Sequence, residues 1–204
     1  MTSFGRRRES GVGLFIVILV AACLAAIGIT LLTLSLMGPR VSGTLRDQEE
    51  AFNAAEAGFG AARVWIEDKF ANGVWTSFAG HYLIQPTNID KPFVSEVVNP
   101  GYFRRLTDEA LFQAFDANGD GTPEVTNLLA YRTTFAAAAG GTTDARLTYT
   151  AFLIDDEAGG GTADPGDAIL VVIGAVRSGE RILATSRLEI VIAYQTQGAG
   201  ATSP

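Results

Sequence analysis

Asp116, Asn118, Asp120 and Gly121 occupy the first, third, fifth and sixth places of the run DANGDGTPE. Side-chain oxygens at that spacing, with a glycine to allow the sharp turn, match the opening of an EF-hand calcium loop. The twelfth place should hold a bidentate Glu and holds Asn127. Glu124, or the second acidic stretch DDEAGGGTADPGD (Asp155–Asp167), would have to complete the oxygen shell. A chain of Asx turns that binds nothing explains the same residues, and the sequence leaves both readings open. Other chemistry lacks material. His81 is the one histidine and Cys23 the one cysteine, which leaves neither a multi-imidazole metal site nor an intramolecular disulfide. A Ser-His-Asp triad would have to use His81, and no nucleophile–base pair stands out, so no enzyme is expected.

The element that positions everything else is the run Val12 to Met37, which has no charged residue. As a helix it would be about 39 Å long, enough to cross a hydrocarbon core of about 30 Å with some tilt. Arg6-Arg7-Arg8 precede it, and basic residues hold their end in the cytoplasm, so the chain from about Pro39 onward is expected outside. A cleaved secretory signal would have a shorter apolar region and a small-residue site after it, which Met37-Gly38-Pro39 does not supply. Cys23 lies inside the run and reads as a small apolar filler.

Beyond Pro39 the helical period resumes. Leu45, Phe52, Phe59 and Ile66 recur at seven-residue spacing, with Val41, Ala55 and Ala62 between them, as one apolar stripe of an amphipathic helix. One long helix from about Val12 to Phe70 follows. Then come short strand-like runs (His81–Gln85, Phe93–Val98, Tyr102–Leu106) and a short helix capped by Thr107. Strands are expected at about Leu128–Phe135, Arg146–Ile154 and Ala168–Arg177. A Ser178-Gly179 turn leads to a return strand with Ile182 to Tyr194 on the buried face and Arg181, Arg187 and Glu189 on a wet one. Trp65 and Trp75 read as packing, and Arg104-Arg105 as surface.

The expected fold is α+β, with one long amino-terminal helix packed on a small antiparallel β-sheet. Its parts are a leader (1–11), a membrane or filament-core helix (12–37), an amphipathic continuation (38–70), a β-rich globular domain (71–194) and a tail (195–204). The formal charge is −7. The leader carries three Arg and one Glu, which leaves −9 beyond it and argues against nucleic acid as a ligand.

This arrangement resembles the type IV pilin-like proteins. Gly11 followed by Val12-Gly13-Leu14-Phe15-Ile16 is similar to a prepilin peptidase site. GTLRDQEEAFNAAEAGFGAAR (Gly43–Arg63) resembles minor pilins with a PilX-type amino terminus. YTAFLIDDEAG and the hairpin GAVRSGERILATSRLEIVI resemble that family's carboxy-terminal sheet more loosely. The resemblance implies cleavage between Gly11 and Val12, methylation of the new amino terminus, and residence in a bacterial inner membrane before extraction into a pilus. It also implies contacts with other pilins through the helix, with the peptidase, with the inner-membrane assembly platform and with lipid. Two features depart from it. Ile16 stands where major pilins carry Glu, as in several minor pilins and the tip pseudopilin of type II secretion, and the carboxy-terminal disulfide of many pilins is missing. A type II secretion pseudopilin, and an unprocessed membrane-anchored calcium-responsive binding domain, are the alternatives.

Overall fold

The structure, a computed structural model, describes residues 9–83, 85–136, 143–155 and 166–194. Arg6-Arg7-Arg8, most of the linker at 136–143, Asp156 to Asp164 of the second acidic stretch, and the 195–204 tail lie outside the described residues. Helix α1 spans Glu9–Ala71, through Gly38 and Pro39. The chain divides into two compact units, Met1–Leu45 and Arg46–Pro204.

In the second unit the fold is α+β. After α1 come β1 (Phe93–Val94), β2 (Val97–Val98), a 3-10 turn at Phe103–Arg105 and α2 (Asp108–Phe115). Then follow β3 (Leu128–Ala136), β4 (Thr143–Ile154), β5 (Asp167–Ser178) and β6 (Arg181–Ala193). The four long strands form an antiparallel sheet in the order β3-β4-β5-β6, and β1 and β2 form a separate small hairpin. Thr107 starts α2 as its type allows: its Oγ1 accepts from the Ala110 amide at 3.2 Å, and Asp108 and Glu109 sit in the positive first turn.

Both faces of the sheet are covered at its central strands, β4 and β5. On one face, Ala151, Leu153, Leu170 and Val172 pack against Ala62, Ile66 and Phe70 of α1. On the other, Phe152, Ile154, Val171 and Ile173 pack against Phe103, Leu111, Phe112 and Phe115. A strand covered on both sides needs a near-continuous apolar run, and Ala168 to Val176 of β5 is that run. β6 keeps the alternation expected for it, with Arg181, Glu189 and Val191 exposed, and Arg187 is the wet-face residue that is drawn under α2. Arg187 donates to the Phe103 and Leu106 carbonyls at 3.0 Å and pairs with Asp108 at the start of α2, while Glu189 pairs with Arg104 at 2.7 Å. Its alkyl stem fills the interface and its charge is satisfied at the rim.

Other expectations need correction. His81–Gln85 is no strand among its described residues, although Leu83 donates one bond to the Leu153 carbonyl at 2.8 Å. Phe93–Val98 is a hairpin rather than one strand, and Tyr102–Leu106 closes into the 3-10 turn. The β5–β6 turn is Gly179-Glu180, one residue later than Ser178-Gly179, because Ser178 pairs with Arg181. Gly179 carries φ +63°, a conformation that suits glycine at the first central position.

Candidate functional site

α1 meets the sheet through small residues. Ala51, Ala54 and Ala55 are fully buried, and Ala62 and Ile66 are nearly so. A methyl on Gly174 of β5 would stand 2.1 Å from the Ala51 carbonyl oxygen and 2.4 Å from the Ala55 nitrogen. A methyl on Gly58 would meet the Tyr149 ring at 2.6 Å. Strand and helix backbones are in direct approach, which only glycine at 174 permits. The run AFNAAEAGFGAAR held this signal as a file of small residues, and the larger apolar stripe beside it drew the sequence reading away.

The stripe itself has more than one environment. Leu45 is 55% exposed, Phe52 43%, Phe59 is half-buried and Ile66 is 5% exposed. A strict seven-residue repeat on a straight α-helix drifts by about 20° per heptad. Within the second unit, over the two heptads from Phe52 to Ile66, the stripe walks from the outer surface into the sheet contact. Val64 and Trp65 are also outward in the second unit. Along the same helix, Phe59, Ile66 and Phe70 line an apolar groove of about 450 Å³ with Phe78, Ile192 and Tyr194. Trp75 is buried and stacks on His81 at 3.8 Å, so the indole reads as packing.

In the first unit, Gly13–Leu32 is long and apolar enough to cross a membrane, and none of it is buried within the protein. The Gly11–Val12 bond falls in the first turn of α1.

At the acidic loop one oxygen of each side chain is already in use. Asp116 Oδ2 accepts from the Gly121 amide at 2.9 Å and the Tyr131 hydroxyl at 3.2 Å. Asn118 Oδ1 accepts from Asp120 N, Asp120 Oδ1 from Thr122 N, and Glu124 Oε2 from Ala117 N. Burial, then the Asp116 carboxylate, pushes the Tyr131 hydroxyl up to about 12, so it stays a donor. Asn127 points away from the loop centre and ties it to the Gly80 and Tyr82 carbonyls at 3.1 and 2.9 Å. Asp116 Oδ1 is buried without a hydrogen-bond donor. Among the described residues no group of three or more His, Cys, Asp or Glu side chains is placed to hold a metal ion.

The chain matches no family model, no curated protein and no solved structure. Its function has to be read from its own surfaces. Two of these are unusual for a small α+β unit: a fully exposed apolar amino-terminal segment, and a helix that spends one face on its sheet while large apolar side chains remain outside.

Proposed function

We propose that the chain is a minor pilin-like structural subunit of a type IV pilus, priming assembly at or near the filament tip. What supports this reading most is the division of labour on α1. Its small-residue face, Ala51 to Ile66, is used up inside the fold, while Phe52 remains 43% exposed on the helix beside it. An exposed large apolar side chain next to a close-packed seam suits lateral contact with a second subunit's helix. The Gly13–Leu32 segment then serves twice, as membrane anchor before extraction and as filament core after it. The prepilin peptidase and an inner-membrane assembly platform are the partners this reading requires.

Cells sheared to release surface filaments test it. The chain should be found in the sheared fraction as well as in the membrane. A chain confined to the membrane in piliated cells would contradict the reading. A type II secretion pseudopilin is the second reading, because Ile16 leaves the segment without a carboxylate five residues after the cut. A neighbouring secretin with an exoprotein operon would favour it, and a neighbouring assembly ATPase without them would favour the pilus.

Calcium enters this reading as an accessory staple at Asp116, Asn118, Asp120 and Glu124, supported by the orphaned Asp116 Oδ1. With Asn127 turned away, affinity should be weak, about 10⁻⁴ to 10⁻³ M. Ions that bind only the folded state raise its stability by mass action. Calcium should therefore raise the melting temperature more than magnesium at equal ionic strength, and Asp120→Ala should remove the difference. Equal responses to the two ions would leave the loop as a set of Asx turns.

A further inference from the structure

On the sheet face that carries α2, beyond the end of that helix, lies an open cleft of about 320 Å³ lined by Arg132, Thr134, Arg146, Thr148 and Arg177. This is a concentration of positive charge on a chain whose net charge is −7. Arg146 and Arg177 are the residues next to the last β4–β5 pair, Leu147 with Val176, on neighbouring strands. Like charges gathered at one end of a sheet repel unless something lies between them.

The three arginines are not equally satisfied. Arg146 is held by Asp144 at 2.7 Å, and Arg132 by the 80%-exposed Glu180 at 2.9 Å and the buried Asp116 at 3.7 Å. Arg177 is 6% exposed, and its Nε is buried with no hydrogen-bond partner. Among the described residues no carboxylate lies within ion-pair distance of it. The Phe112 ring lies 5.1 Å from the guanidinium. Burial, and then the nearby Arg132, push the Arg177 guanidinium below its ordinary value, outweighing Tyr131, Glu180 and Asp116. An unpaired buried cation is costly to keep, and a guanidinium with a free edge is the side chain best shaped for an oxyanion.

We propose that this cleft is a binding site for a phosphate-type oxyanion, with the Arg177 guanidinium as its central donor and Arg146, Thr134 and Thr148 around it. A carboxylate would be satisfied by one guanidinium fork. A tetrahedral anion can draw on donors from several directions, which is what three strands supply here.

The test is thermal unfolding of the full chain in nonionic detergent, followed by the fluorescence of Trp65 and Trp75, with inorganic phosphate titrated against chloride at matched ionic strength. Phosphate also stabilises proteins generally by exclusion from their surface, so saturation and the response of variants are what count. The wild type should show a saturable rise in melting temperature. Arg177→Met, which keeps the stem over Phe112, should weaken phosphate binding about tenfold or more. Arg146→Gln, at a half-exposed position, should weaken it without threatening the fold. Glu180→Gln should tighten it, because it removes an exposed carboxylate from beside the cleft while Asp116 still holds Arg132. A rise that does not saturate, or one of the same size in Arg146→Gln and Glu180→Gln as in the wild type, would overturn the proposal.

Discussion

Phe52→Asp should leave the protein folded and remove it from sheared filaments. The side chain is 43% exposed on the outer side of α1, so the change opens no cavity in the sheet contact and should alter stability by about 1 kcal/mol or less. At a subunit contact the same change removes most of a buried phenylalanine, worth about 1.5–3 kcal/mol, and places a carboxylate in an apolar seam. Recovery in the sheared fraction should fall about tenfold or more. Phe59→Asp is the comparison: that ring packs partly on the core beside Ile66 and lines the groove against β6. It should lower the melting temperature as well as assembly. Tryptophan fluorescence of the full chain in detergent separates the two effects. A Phe52→Asp variant that assembles at the wild-type level would remove the outer surface of α1 from the account.

The largest effect on stability is expected at Gly174. Gly174→Ala puts a methyl 2.1 Å from the Ala51 carbonyl and 2.4 Å from the Ala55 amide, and neither main-chain group can turn aside as a side chain could. Helix and sheet must separate, so the cost should be about 3 kcal/mol or more, at the upper end for overpacking. For a chain of this size that corresponds to a fall in melting temperature of roughly 6–12 °C. Gly60→Ala is the control, because a methyl there meets nothing within 4 Å and α1 gains a better helix former. It should be neutral or slightly stabilising. Equal melting temperatures for the two variants would mean that the helix does not approach β5 this closely.

Much of the fold could be read in advance because single signals dominated. The uncharged run before Met37 could only be apolar helix, and β5 and β6 announced themselves by apolar continuity and alternation around a turn. Tertiary partners decided the rest. β6 reads as half wet and is so at Arg181, Glu189 and Val191, but that Arg187 is drawn in depends on Asp108 and the Phe103 carbonyl, which only the packed α2 and 3-10 turn supply. Between Pro86 and Leu106 the short β-branched and aromatic runs resemble strands. What holds that segment is Asn99, whose amide donates to the Asn88 and Lys91 carbonyls while its oxygen accepts from Gly101. Such side-chain bonds leave no periodic trace in a sequence.

The candidate surfaces follow the same rule. The stripe is visible by period, but its turn from solvent at Phe52 into the core at Ile66 is set by the pitch of the helix. Ala51, Gly58 and Gly174 carry little hydrophobic signal because they are small, although α1 and the sheet approach each other closely there. The acidic loop showed its oxygens plainly. That Asp116, Asn118, Asp120 and Glu124 each give one oxygen to a nearby amide is a fact of backbone conformation, with Gly119 at φ +73° and Gly121 at φ +87°. Arg177 reads as the end of an apolar strand, and its isolation depends on which residues face it across β4.

The most direct test of the account is the mass of the amino-terminal peptide of the protein extracted from membranes of cells with an active prepilin peptidase. The pilin reading expects a chain that begins at Val12, methylated on its new amino group, with residues 1–11 removed. A chain that still begins at Met1 in those cells would contradict it and leave Gly13–Leu32 as a permanent anchor.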